Sequence, residues 1–346
     1  MVSVSARSAI PGSPAAARRQ ASWRRACTAA LLAPTPAALR RWALAGVVTS
    51  TLIILTGAAV RLSQSGLGCP DWPACTANSL AASGATGDPL VHRWVEFGNR
   101  LVTVAIFVVA VGVFIAGWRF RQADGKPRRD LRWLAAAQPG AIVLQAVLGG
   151  LVVLTKLNPA LVSVHFLASV ALIAAAVALY VRCQEGTGQA RALVPSLVRG
   201  SAYGVVGCVA LMMAAGTVVT GTGPLAGAAD VARYHLPLEG VTQLHADIGW
   251  LLGGLELALL LGLRLTGAPR TAMRLAWLLL ALTGLQGVIG YSQYFSGLPA
   301  GLVWVHVAGS VAIWITALLL PYSLRDRGTI GQVPASAAAA PQPASA

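Results

Sequence analysis

The chain has 346 residues, 56% of them hydrophobic and only 11% charged, and a mean hydropathy of +0.69. Soluble domains carry about 25% charged residues, so the composition excludes an ordinary soluble fold and describes an integral membrane protein. The net charge of +15 does not imply a nucleic-acid partner. Its basic residues sit in short loops and an N-terminal tail, the pattern that orients membrane proteins.

Residues 1–41 hold seven Arg and no acid among many Ala, Ser and Pro. That composition reads equally as a mitochondrial transit peptide or as a disordered cytoplasmic tail, and no apolar signal-peptide region precedes residue 42. Eight apolar segments follow, near 42–62, 91–117, 133–155, 160–181, 201–220, 242–263, 274–293 and 301–321. Each is long enough for a hydrocarbon core of about 30 Å, which takes about 20 helical residues. Helices are expected because lipid cannot satisfy open backbone groups. Of the 26 Lys and Arg, 21 fall in the two tails and in loops 118–132, 182–200 and 264–274. Both termini are therefore expected on the cytoplasmic or matrix side, and loops 63–90 and 221–241 face outward. Cys69 and Cys75 then lie six residues apart on the oxidising side of a bacterial membrane, where a disulfide is favoured over two free thiols. Cys27, Cys183 and Cys208 are scattered, and no cysteine spacing reads as a zinc or iron–sulfur site. The tail 322–346 is of low complexity and is expected to be disordered.

One stretch occurs twice. Residues 145–171 and 286–312 align without a gap at an offset of 141, with 11 of 27 positions identical, among them Gln145/Gln286, Gly149/Gly290 and His165/His306. Matched valines and leucines say little in apolar segments. The matched Gln, Gly and His say more, because solubility in a bilayer does not require them. Four helices precede the midpoint and four follow it, so the halves insert the same way up. The expected fold is all-α: eight transmembrane helices in two parallel-repeat four-helix halves, 42–181 and 201–321, with pseudo-twofold symmetry and a cytoplasmic linker at 182–200.

His92, His165, His245 and His306 fall near the outer ends of four different helices at similar expected depth, and His235 lies in an outer loop. A lone His near a helix end is more often a half-hydrated interfacial residue. Four of them, two within a repeat, point to ligands, since ionisable groups inside a membrane are costly. Two imidazoles from facing helices, without Cys or carboxylate clusters nearby, suit the axial positions of a haem. Gly149, Gly150 and Gly290 either make room for a flat macrocycle or allow close helix packing. Glu96 shares a helix face with His92 and Asn99. It is either an acid/base or charge-stabilising group, or an ion-pair partner of Arg93 or Arg100. Glu256 is expected inside the bundle, paired with Arg264. Asp247 either orients His245 or sits at the interface.

The stretches TGAAVRL (56–62), SQSGLGCPDWPAC (63–75), WVEFGNR (94–100), the L-x-P…H segment around His165 and QLHAD (243–247) together resemble the haem A synthase family. The similarity covers about residues 42–321, and the WVEFGNR form resembles an actinobacterial-type branch. The resemblance implies an eight-helix pseudo-twofold bundle that oxidises a methyl of haem O to the formyl of haem A, for terminal oxidase assembly. It implies a haem b cofactor held by His245 and His306 in the C-terminal half. Haem O would bind in the N-terminal half beside His165 and Glu96. The position three residues after the helix-2 Glu, a histidine in the family, is Asn99 here, so His92 is the substitute candidate. Implied partners are membrane lipid, an electron acceptor, the haem O synthase (protohaem farnesyltransferase) and terminal oxidase assembly factors. The implied location is a bacterial plasma membrane, with the mitochondrial inner membrane as alternative. Two other classes compete: a bis-histidine electron-transfer cytochrome, and a parallel-repeat transporter hinted at by Gln145, Gln286 and Pro139.

Overall fold

A computed structural model describes residues 33–77, 79–82 and 90–330. Eight long helices make up nearly all of it: α1 (Pro36–Leu62), α2 (Leu90–Arg119), α3 (Arg129–Leu154), α4 (Pro159–Arg182), α5 (Ser196–Thr222), α6 (Leu238–Leu265), α7 (Arg270–Phe295) and α8 (Ala300–Ser323). Each is long and apolar enough to cross a membrane, so this is a multi-pass membrane protein. All eight run unbroken, including α3 through Pro139, and none has the interrupted form of a transporter's binding helices.

The helices start where proline permits and hydrogen-bonding caps assist. Pro36 and Pro159 occupy first-turn positions, where a missing N–H costs nothing. Thr35 accepts from the Ala38 amide at 3.2 Å and Asn158 from the Ala160 amide at 3.0 Å. Most helices are longer than the expected segments. Their ends carry Arg, Asp or Pro that lower local hydropathy without ending the hydrogen-bond ladder.

The limits of α3 and α7 differ by 141 at both ends, and so do those of α4 and α8. The α3–α4 and α7–α8 turns match as well. Lys156 and Leu157 have φ of 51° and 59°, and Gly297 and Leu298 have 78° and 60°. The Leu157 amide donates to Val152 O at 2.8 Å and the Leu298 amide to Gln293 O at 2.7 Å, closing each helix as a left-handed cap. Left-handed leucine is unfavourable. At Leu157 the side chain offsets this by burial, packing where Gly66 and Gly227 leave room.

Helices α1, α4, α5 and α8 contact one another around the middle, with α4 against α8; α2 and α3 flank one side, and α6 and α7 the other. Trp314 Nε1 donates to Val170 O at 2.9 Å and Trp304 Nε1 to Leu55 O at 3.0 Å, tying α8 to α4 and to α1. The apolar core is concentrated toward the ends of the helices on the side of the α2–α3, α4–α5 and α6–α7 loops, the inner halves on the expected orientation. No residue of α4 before Val170, of α6 before Leu252 or of α8 before Val311 is buried.

The chain after α8 departs from expectation. The tail expected from residue 322 is ordered to Ile330, and the linker 182–200 is not free either. Strand β1 (Arg191–Ala192) pairs antiparallel with β2 (Arg325–Asp326). Charges explain it. Glu185 accepts from Arg325 at 2.9 and 3.1 Å and pairs with Arg182, which also binds Asp130 at 2.6 Å. Arg128, 2% exposed in its side chain, holds Asp130 at 2.7 Å and donates to the carbonyls of Glu185 and Arg182.

Removing Arg128 strands these acceptors. Arg128→Ala is expected to lower stability by about 1.5–3 kcal/mol, the usual worth of a hydrogen bond to a charged group. Thermal unfolding in detergent reads it. Lys126→Ala, which breaks only an exposed pair at 3.6 Å, is expected to change stability by less than about 1 kcal/mol.

Candidate functional site

Three histidines come from the loosely packed outer halves. His165 and His306 are each the seventh residue of their helix, and His245 is the eighth. At about 1.5 Å per residue they lie roughly 9–10 Å below their helix starts. His92, third in α2, is shallower by more than a turn on the same count, so the expected match in depth holds for three histidines and not for four.

Each of the three lies over a glycine of the neighbouring helix. A Cβ built on Gly149 of α3 would stand 3.5 Å from His165 Cε1, one on Gly290 of α7 3.5 Å from His306 Cε1, and one on Gly216 of α5 3.3 Å from His245 Cε1. The repeated Gly–His pair is thus a contact, and α5–α6 contains a third example outside the repeat. The Nδ1 atom of all three rings is sealed from solvent without a hydrogen-bond partner. His245 lies in electrostatic reach of the Met212 carbonyl but makes no well-formed bond to it. Asp247, the expected orienting group, instead accepts from Gln243 at 2.7 Å. Buried polar atoms are nearly always paired, so the three unpaired Nδ1 atoms make these rings candidates for holding a ligand.

The His245 and His306 ring centroids are 6.3 Å apart, with planes at 65°. Two imidazole nitrogens each about 2.0–2.1 Å from one metal ion, with each centroid ~1.2 Å behind its nitrogen, would stand roughly 6.4 Å apart on a straight line. The spacing also lies within the range of an edge-to-face ring contact; the unpaired nitrogens favour the ligand geometry. A group held by both residues fits the chain's own dimensions. Among the described residues no cluster of three His, Cys, Asp or Glu could hold a metal ion unaided. Burial pushes the Cys183 thiol up to about 12, so it stays protonated and is a poor ligand.

The repeated glutamines sit behind the histidines. Gln145 Nε2 donates to Ser169 Oγ at 2.9 Å and to His165 O at 3.3 Å. Gln286 packs against Gly309 of α8. Glu256 is 2% exposed and accepts from Thr283 Oγ1 at 2.9 Å. Its partner is on α7 rather than Arg264, which lies two turns away on its own helix.

The first half adds a loop. Cys69 and Cys75 are disulfide-bonded. Glu96, 5% exposed, accepts from the Cys69 amide at 2.7 Å and from Arg100 at 2.6 Å. Arg100 also donates to the carbonyls of Cys69, Asp71 and Ala74 at 2.9–3.0 Å. The Glu96–Arg100 pair therefore ties α2 to the loop. Gly68 backs onto the His92 carbonyl so closely that a Cβ there would stand 2.5 Å away, which holds the top of α2 against the loop. Asn99 has a buried Oδ1 without a partner.

The sequence profile of the cytochrome oxidase assembly protein family (COX15-CtaA) matches residues 40–319. Heme A synthase of Lysinibacillus sphaericus is 34% identical over 128 residues, 37% of this chain and 39% of the relative. That of Geobacillus thermodenitrificans is 32% identical over 114 residues, 32% of each chain. The matched stretch thus spans well under half of these relatives. Heme A synthase of Shewanella oneidensis is 25% identical over 325 residues, covering 80% of this chain and 94% of the relative.

The loop ties make a separable expectation. Glu96→Gln keeps an acceptor for the Cys69 amide but loses the charge facing Arg100, whereas Glu96→Ala loses both. Reduction of the Cys69–Cys75 bond by added dithiol is expected to be slowest in the native chain, faster in Glu96→Gln and fastest in Glu96→Ala. Trapping of the freed thiols measures the rate.

Proposed function

Because the chain belongs to the cytochrome oxidase assembly protein family, we propose that it is a haem A synthase, an oxidoreductase that converts a methyl group of haem O to the formyl group of haem A. The observation that carries this most is the His245–His306 pair, two half-buried imidazoles with ring centroids 6.3 Å apart and sealed, unpaired Nδ1 atoms. In this reading the pair holds a haem b cofactor, which when bound supplies one-electron transfer. The C-terminal half is the cofactor half, the N-terminal half the substrate half, and the two are related by a pseudo-twofold axis along the membrane normal.

On the substrate side, His165 is the ligand candidate. His92 remains the candidate for a second ligand, although it is shallower. Asn99, with its unpaired Oδ1, is the polar group that α2 offers deeper in the bundle, and it is the basis for assigning the actinobacterial-type branch. Glu96 acts as a fixed carboxylate. Both of its oxygens are engaged, which suits stabilising positive charge at the substrate methyl carbon better than shuttling protons. The open outer halves of α4, α6 and α8 give each half room for a flat macrocycle. The basic loops support a reading with both termini in the cytoplasm of a bacterial cell. The haem O synthase, terminal oxidase assembly factors and an electron acceptor are the partners this activity requires.

Chromatography of haems extracted from protein made in a host that supplies haem O tests the reading. Haem b with haem A is expected from the native chain. His245→Ala or His306→Ala is expected to lose haem b. His165→Ala is expected to keep haem b and lose haem O and haem A, and His92→Ala run beside it decides that residue's part. Haem b with no haem A from the native chain would instead select the electron-transfer cytochrome. Glu96→Gln is expected to lower conversion about a hundredfold, the usual effect of losing one preorganised electrostatic group; full conversion would remove Glu96 from the chemistry.

A further inference from the structure

The disulfide loop places an aromatic ring against α3. Trp72 packs onto α3 at Gly150. A Cβ built there would stand 2.5 Å from Cδ2, 2.7 Å from Cε2 and 2.9 Å from Cε3 of the indole. No side chain larger than hydrogen fits without moving the ring. The preceding residue, Gly149, faces His165. Two adjacent glycines of one helix thus receive two rings, the imidazole from α4 and the indole from the loop. At the corresponding position of the second repeat the chain has Tyr291, whose hydroxyl accepts from Trp250 Nε1 at 3.2 Å.

The loop is tied on both sides of Trp72. Arg100 fixes the carbonyl of Asp71 immediately before it and that of Ala74 two residues after it. The disulfide spans it from Cys69 to Cys75, and Glu96 holds the Cys69 amide. A tryptophan serving only as an interfacial anchor sits at headgroup level by its own amphipathy and needs no such frame. Trp72 stays 38% exposed, so the indole is backed by helix and still offers aromatic surface.

We propose that Trp72 is a wall of the His165 site and a specificity-determining residue for a flat macrocyclic substrate, held in place by the disulfide loop and by the absence of a side chain at Gly150. The proposal rests on the substrate assignment made under Proposed function and deepens it. The indole presents a rigid apolar plane on the neighbouring face of α3, one residue along from the imidazole's contact. Gly150 sets the plane's position by letting it rest on backbone.

The test is haem O affinity, titrated into detergent-purified protein loaded with haem b, for Trp72→Leu, Trp72→Phe, Gly150→Ala and the double variant Gly150→Ala/Trp72→Leu. Trp94→Leu, on the exposed face of α2, is the control. Trp72→Leu and Gly150→Ala are each expected to weaken haem O binding about tenfold, the scale of one lost aromatic contact. Trp72→Phe is expected to recover most of that loss. The double variant is expected to bind no worse than Trp72→Leu, because both changes remove the same contact. Where turnover is measured, the loss is expected in KM rather than kcat. Thiol labelling checks that the disulfide remains closed and haem extraction that haem b is retained. Native affinity in Trp72→Leu would overturn the proposal and leave Trp72 an interfacial anchor. Loss of affinity only together with an opened disulfide or lost haem b would overturn it in favour of a purely structural loop. A native chain that binds haem O without converting it would fail the activity reading, while the affinity comparison would still decide the role of Trp72.

Discussion

An imidazole half-buried among apolar helices must be held by something, and in this protein it rests on a glycine. His165, His245 and His306 each reach across to a neighbouring helix at a position without a side chain. The contact is steric. It fixes where the ring lies but gives its nitrogens nothing to bond. An unsatisfied buried polar group costs about 1–3 kcal/mol, and three such rings are a considerable burden for a membrane bundle. A ligand that uses the ring nitrogens returns that energy as binding. The loosely packed outer halves of α4, α6 and α8 belong to the same arrangement, since a core closed around the histidines would leave no space for a group held by them on the proposed reading.

The matching α3–α4 and α7–α8 pairs both carry this device, and the differences lie at the rims. The first half carries a disulfide loop, a carboxylate–guanidinium pair and a tryptophan that rests on Gly150, next to the Gly149–His165 contact. Around His306 there is a second histidine, with Tyr291 and Trp250 bonded to each other. A permanently held cofactor gains from a site completed by helix residues alone. A group that must enter and leave gains from a wall carried on a loop, provided the loop is stiff enough to keep its shape. On the proposed reading, the duplication supplies the scaffold and the rims divide the work.

Hydropathy was enough to count the helices, because lipid leaves the backbone few alternatives. Their ends were less legible: Arg40, Arg41 and Arg129 depress hydropathy yet lie inside helices. The Cys69–Cys75 bond was legible from orientation and spacing, and the two cysteines are bonded. The repeat pointed to the Gly149–His165 and Gly290–His306 contacts, but its matched leucines looked like noise. Leu157 and Leu298 are the left-handed residues that close α3 and α7, a conformation seldom read from a leucine. The third pair, Gly216 with His245, was hidden because it crosses α5 and α6 with no repeated sequence to mark it. Residues 322–330 read as tail because composition does not reveal that Arg325 finds Glu185, 140 positions earlier.

Glu96 shows why a residue's structural and chemical parts need not compete. Lipid-facing charge is expensive, so a carboxylate in the outer membrane half must be paired, and Arg100 supplies the pair from the next turn of the same helix. An isolated pair would leave most guanidinium donors unsatisfied. The loop carbonyls of Cys69, Asp71 and Ala74 accept them, and the Cys69 amide occupies the second carboxylate oxygen. The negative charge is thereby fixed in place rather than free to follow solvent. A charge fixed in advance is also what stabilises a developing positive centre without reorganisation. The bonds that give the loop its shape are therefore the bonds that would make Glu96 effective beside a substrate, and loosening one should loosen the other.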